Sequence, residues 1–150
     1  MIDKPIEDTL ARCDAVDAAA QAYFEGLGYV YKDTMVPLAN QDPDELLKGI
    51  VMFGASGEKG YSTSPGLVAK KGTTRVLLLL HIKVNEKTET GKDLRQKEQL
   101  FFGPVKDFVR TGLAGMSLTL EQVQQSRQQA HPYGWAVAYI DINPPSSGTH

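Results

Sequence analysis

The strongest hydrophobic pattern in the chain is the segment Arg75–Val84, which predicts a central β-strand. Five apolar residues at every second position share one face of this strand, and Leu77 and Leu79 place apolar surface on the middle of the other. We expect helices to cover the first face and a partner subunit or a second layer to cover the middle of the second. The first face comprises Val76, Leu78, Leu80, Ile82 and Val84.

Two amphipathic helices are predicted to pack on this sheet. The first covers Ile6 to about Gly26, and the second begins at Asp93, is interrupted at Gly103-Pro104 and ends at Gly112. We expect Pro104 to occupy the first turn of a restarted helix. The apolar stripe of the first helix is formed by Ile6, Leu10, Cys13, Val16 or Asp17, Ala20 and Phe24.

Three further strands follow from apolar runs bounded by turn residues. They are Tyr29–Val36, the buried run Gly49–Gly54 and the alternating run Trp135–Ile142. The segment 118–130 is ambiguous: Thr119 and Gln122 suit a helix start, whereas the alternation of this segment favours a strand followed by a loop.

These elements predict a single α+β domain over residues 1–143. Its sheet is mixed, mainly antiparallel, with about four to five strands, and two main helices pack on one face. The glycine-, serine- and lysine-rich segment 55–74 is interpreted as a long exposed excursion, and 144–150 as a flexible tail. The glycines of the excursion do not have the spacing of a phosphate-binding loop.

Composition narrows the class of protein. A hydrophobic content of 41% and a charged content of 23% are typical of a folded protein, and no apolar run approaches the roughly 20 residues that span a bilayer. The acidic residues among the first 26 positions do not fit a secretory signal, so we expect no export and no membrane association. A net charge of −2 argues against general nucleic-acid binding.

Candidate catalytic residues do not converge in the sequence. His81 is interpreted as a hydrogen-bonded structural histidine, His131 as a turn residue and Cys13 as a small core residue. Asp42 and its acidic neighbours favour a solvated turn and a helix start rather than a calcium loop. We therefore expect no enzyme, no cofactor and no metal site.

The order of the elements resembles that of the tail terminator proteins of long-tailed bacteriophages. The resemblance extends from about Ile6 to Ile142 and rests on patterns of polarity. They are the segment Asp42–Phe53 before the excursion, Arg75–Val84 after it, the helix broken at Pro104, and the closing run Gly134–Ile142.

The resemblance implies a homo-oligomeric, six-fold ring that caps the tail tube and then joins it to the head-completion (connector) protein. DNA would pass through such a ring without specific binding. The protein would reside at the head-proximal end of the virion tail, after assembly in the host cytoplasm.

Two sets of residues are candidates for the contacts of such a ring. The apolar set could form the subunit interface, or it could complete the subunit's own core; the set in the excursion could dock onto the tail tube, or it could be a solvated hairpin tip. The predicted interface comprises Leu77, Leu79, Trp135, Val137 and Tyr139. The predicted docking set comprises Lys59, Tyr61, Lys70 and Lys71.

Two alternatives remain open. One is another subunit of the phage neck or a tail-completion subunit, which has the same size and fold class. The other is a small intracellular α+β ligand-binding domain or enzyme with a pocket between sheet and helices, which a monomeric state and a deep enclosed pocket would favour.

Overall fold

The computed structural model describes residues 4–59, 72–111, 113 and 116–143. These residues form helices and one five-stranded sheet, which confirms the α+β class. In chain order the elements are α1 (Lys4–Gly26), β1 (Val30–Lys32), a 3-10 turn (Leu38–Asn40), α2 (Pro43–Lys48), β2 (Ile50–Lys59), β3 (Thr73–Lys83), α3 (Gly91–Gln99), α4 (Phe102–Thr111), β4 (Ser117–Gln125) and β5 (Tyr133–Asn143).

The strand order is β1-β2-β3-β5-β4, with β1 parallel to β2 and every other pair antiparallel. The most apolar strand, β3, therefore lies in the centre, where both of its edges are paired. The predicted strands at Arg75–Val84 and Trp135–Ile142 are confirmed. In 118–130 the strand is confirmed for its first half, and the helical alternative is wrong because Ser117–Gln125 pairs with β5.

The main core lies between the first face of the sheet and the helices α1, α3 and α4. Phe24 of α1 is fully buried, and its ring centroid lies 5.7 Å from that of Phe101 and 5.8 Å from that of Phe108. Each such burial contributes about 1.5–3 kcal/mol. The predicted core position Leu10 is wrong, because 61% of this residue is exposed.

The predicted break of the second helix is confirmed, and it separates α3 from α4. Gly103 and Pro104 lie in the first turn of α4, where the missing N–H of proline leaves no hydrogen bond unmade. Thr90 caps α3 by accepting a hydrogen bond from the N–H of Asp93, whose carboxylate accepts one from the N–H of Thr90 in return.

The second face of the sheet is covered on one side by the chain's own segment between β1 and β2. The predicted helix start at Asp42 is confirmed, since its carboxylate caps α2 by accepting a 3.0 Å hydrogen bond from the N–H of Asp44. Leu46 of α2 then packs on Ile50 and Met52 of β2 in a second, smaller core. This second core reaches Leu79 of β3 and Tyr133 of β5, and it leaves Leu77, Tyr139 and Trp135 partly exposed.

The bounds of two strands differ most from the sequence prediction, and α3 begins at Gly91 rather than at Asp93. The strand predicted over Tyr29–Val36 is limited to Val30–Lys32, because the chain then leaves the sheet to cross its second face. The strand predicted to end at Gly54 continues to Lys59 through an irregularity between Ala55 and Gly57. The excursion predicted over 55–74 is therefore wrong at both ends; its middle, 60–71, and the tail 144–150 lie outside the described residues.

Candidate interaction surface

The five residues of the predicted interface lie side by side on the second face of the sheet. Leu77 is directly opposite Tyr139, and Leu79 is directly opposite Val137. Trp135 also lies on β5, two positions before Val137, and therefore on the same face of the sheet. The sequence alone indicated the shared face of each strand, and the antiparallel register of β3 with β5 brings the two strands' residues together.

These residues differ in how far they are exposed. Trp135 is 39% exposed, Leu77 and Tyr139 are half-buried, and Val137 is only 6% exposed. Leu79 is half-buried and also packs against the second core formed with α2. Val137 and Leu79 therefore contribute to the subunit's own packing, while the other three leave apolar surface open.

The structure adds a residue that the sequence analysis missed. The side chain of Met35 lies over Gly54 of β2, so close that a β-carbon at Gly54 would be 2.5 Å from the methyl carbon of Met35. Met35 is 41% exposed, and the same β-carbon would lie 3.6 Å from Leu77. We define the sheet-face patch as Met35, Leu77, Leu79, Trp135, Val137 and Tyr139.

An ion-pair cluster marks one end of the sheet-face patch. Arg75 of β3 donates to both carboxylate oxygens of Asp141 on β5, at 2.8 and 3.2 Å, and lies 3.5 Å from the carboxylate of Glu121 on β4. The hydrogen bond to Asp141 raises the pKa of Arg75. Asp141 is only 4% exposed, and it lies directly opposite Arg75, so this ion pair is consistent with the register of β3 with β5.

An open cleft of about 690 Å³ lies at the opposite end of the sheet-face patch. Its walls include Leu38, Tyr133 and Trp135, together with the polar side chains of Gln124 and Arg127. The cleft therefore continues the apolar surface around Trp135 and surrounds it with groups that can donate and accept hydrogen bonds.

Only one of the four residues of the predicted docking set lies among the described residues. Lys59 is the last residue of β2, where it pairs with Thr73 at the end of the β2–β3 ladder. Tyr61, Lys70 and Lys71 lie outside the described residues.

The candidate catalytic residues occupy structural positions. His81 is 9% exposed, its Nδ1 lies 3.4 Å from Nε2 of Gln41, and burial lowers its pKa. His131 lies in the turn before β5, 2.8 Å from the carbonyl oxygen of Glu89. Among the described residues, no group of three or more histidine, cysteine or acidic side chains could hold a metal ion.

A buried carboxylate behind β5 was also missed by the sequence analysis. Glu98 of α3 is fully buried and accepts hydrogen bonds from the side chains of Gln125, Ser126 and Gln128 and from the N–H of Trp135. This network ties α3 to the β4–β5 connection and so supports the strand that carries Trp135. The sequence gives no sign of it, because Glu98 stands among polar residues on its helix.

No protein-family model matches this chain, and the comparison with curated proteins finds no significant relative. None of the helices in the described part of the chain has the length and hydrophobicity needed to cross a membrane.

Proposed function

We propose that this chain is a structural subunit of a phage tail, a tail terminator that assembles into a ring. The observation that carries the proposal is the sheet-face patch, an apolar surface on a strand pair whose other face is completely buried. The exposed side chains of Trp135 and Met35 in this patch belong to residue types that are enriched where protein surfaces associate.

A ring requires that two different surfaces of the subunit meet. A second exposed apolar site lies on the helical side of the molecule, where Leu27 and Leu100, 51% and 72% exposed, flank a cleft of about 360 Å³. This cleft lies next to Tyr29 and Pro104, away from the sheet-face patch. Contact between unlike patches is head-to-tail, and it closes into a ring when the rotation per subunit divides a full turn.

The remaining parts of the proposal concern what the ring contacts. Lys59 at the end of β2, with Tyr61, Lys70 and Lys71 in the segment of the sequence that follows, would dock onto the tail tube protein, and the opposite side of the ring would bind the head-completion protein. A chain with a net charge of −2 suits a ring that lets DNA pass without retaining it. The protein would act as part of the virion, at the head-proximal end of the tail.

Negative-stain microscopy of the purified protein, with and without tail tubes, tests this function. We expect six-fold rings in isolation and single rings at one end of each tube. Rings without tube binding would support another neck subunit instead, and monomers that leave the tube ends bare would contradict the proposal.

A ligand-binding domain is the second candidate, and the 690 Å³ cleft beside Trp135 is the observation that favours it. Aromatic walls combined with amide and guanidinium groups are typical of small-molecule sites. In the ring proposal a neighbouring subunit fills this cleft. A protein that stays monomeric, with the cleft open to ligands, would therefore favour the second candidate.

A further inference from the structure

The last strand of the sheet, β4, exposes one side of its backbone. Within the described residues β4 pairs only with β5, so alternate N–H and C=O groups of Ser117–Gln125 point away from the sheet. The apolar side chains on its helical face, Leu118, Leu120 and Val123, are only half-buried because the sheet ends there. The edge could accept one more strand.

A groove of about 450 Å³ runs along this edge, between β4 and α4. Its apolar wall is formed by Val109 of α4, by Leu113 and Met116, and by Leu118 and Leu120 of β4. An added strand would place every second side chain toward this groove, since side chains alternate along a strand. One apolar side chain on the helix side of such a strand would be buried there.

The rim of the groove is cationic. Lys106 and Arg110 of α4 line it, and one nearby carboxylate, Asp107, pairs with Arg110, which leaves a net positive rim. Antiparallel pairing of two β4 strands across a two-fold axis would bring the cationic rims of both copies together, because both α4 helices would lie on the same face. The charge therefore disfavours a second copy and favours an acidic occupant.

We propose that this edge binds an extended acidic segment of another protein, which adds as a strand along Ser117–Leu120. The segment would place one apolar side chain in the groove and carboxylates beside Lys106 and Arg110. The irregularity between Leu120 and Gln122 ends the regular edge, which limits the added strand to this half of β4. This mode of binding combines backbone hydrogen bonds with a side-chain pocket. It is independent of the ring proposed above.

Fluorescence anisotropy with labelled peptides tests the inference on the full chain. The acidic probe is the peptide acetyl-Glu-Thr-Leu-Thr-Glu-amide, whose glutamates and leucine share one face when it is extended. Its basic counterpart carries lysine in place of both glutamates, and we expect it to bind about fivefold or more weakly because two ion pairs are lost. Two further peptides carry N-methyl groups on alternate amides. One of them should lose about tenfold in affinity and the other should match the parent, since only alternate amides face β4.

The double variant Lys106→Glu/Arg110→Glu should reverse the preference, so that the basic peptide binds more tightly than the acidic one. The matched control is Lys92→Glu/Arg95→Glu on the exposed side of α3, which makes the same change in net charge and should leave the preference unchanged. Equal binding of the two N-methylated peptides, an unchanged preference in the groove variant, or no binding of the acidic peptide at millimolar concentration would each overturn the inference. Self-association through β4, detected by disulfide formation in a Thr119→Cys variant, would also overturn it.

Discussion

Gly134 is the position at which one added methyl group should disturb this structure most. A β-carbon at Gly134 would lie 2.8 Å from Cδ1 of Leu94 and in direct conflict with a carboxylate oxygen of Glu98. Neither group is free to move, because Leu94 is fully buried and Glu98 is held by four hydrogen bonds. We expect Gly134→Ala to force α3 and β5 apart.

The size of the effect follows from three contributions. Overpacking by one methyl group costs about 1–3 kcal/mol. Loss of one hydrogen bond to the Glu98 carboxylate costs about 1.5–3 kcal/mol. Alanine loses less backbone entropy than glycine in a strand, which returns about 0.5–1 kcal/mol. Together these contributions lower the free energy of unfolding by about 1.5–5.5 kcal/mol, which lowers the thermal midpoint by about 3–22 °C for a chain of this size.

Urea denaturation at one fixed protein concentration measures this change. Trp135 is the only tryptophan in the chain and follows Gly134 directly, so its fluorescence reports on the site, with far-UV circular dichroism as the global probe. Gly26→Ala is the matched control, because its added β-carbon meets nothing within 4 Å, and its effect should stay within about 1 kcal/mol. If both variants unfold at the same urea concentration as the wild type, the packing described for α3 against β5 is wrong.

Three further predictions concern single side chains. Burial and the hydrogen bond to Asp17 raise the pKa of Tyr31, so the stability from its neutral phenol is complete below the ordinary pKa of 10.0 and is lost as the pH rises above it. The urea midpoint of Tyr31→Phe should therefore depend less on alkaline pH than that of the wild type, and an equal dependence of the two midpoints on pH would argue against a buried phenol. Burial lowers the pKa of His81, so the stability from its neutral imidazole is complete above the ordinary value of 6.5 and falls as the pH drops below it. In His81→Gln the free energy of unfolding should therefore depend less on acidic pH, and the same loss of pH dependence in the control His131→Gln would contradict the assignment of this effect to His81. Lys97 donates hydrogen bonds to the carbonyl oxygens of Leu47, in the last turn of α2, and of Lys83, the last residue of β3, at 2.7 and 3.0 Å. Lys97→Met should therefore lower the free energy of unfolding by about 1–3 kcal/mol, and an unchanged thermal midpoint would show that these bonds do not matter for stability.

The sequence predicted those parts of the fold whose pattern is strong and local. The strand at Arg75–Val84 could be predicted because unbroken apolar alternation fits few other structures. The restart of a helix at Pro104 could be predicted because proline fits the first turn of a helix but not its interior. Leu10 was wrongly predicted to lie in the core, because the pattern that placed it there is ambiguous. Helical periodicity identifies an apolar stripe but does not show how far the rest of the core extends beneath it.

The candidate surface was predictable in part. The shared face of Leu77 and Leu79 follows from the two-residue period of a strand, but the pairing of β3 with β5 depends on the fold. The contribution of Met35 could not be predicted, because its position depends on a loop that crosses the sheet and on the absence of a β-carbon at Gly54. The burial of Glu98 could not be predicted, because a buried carboxylate is identified only by the hydrogen-bond donors that surround it in space.

Sedimentation velocity over a wide range of protein concentration tests the central claim, that the sheet-face patch holds copies of this chain together. The wild type should form a single species of ring size, and Trp135→Glu should sediment as a folded monomer, because it places a charge in a surface that must be desolvated. Gln96→Glu, an equal change of charge on the exposed side of α3, should assemble like the wild type. A wild-type monomer at every concentration, or a Trp135→Glu variant that still forms the ring-sized species, would contradict the account.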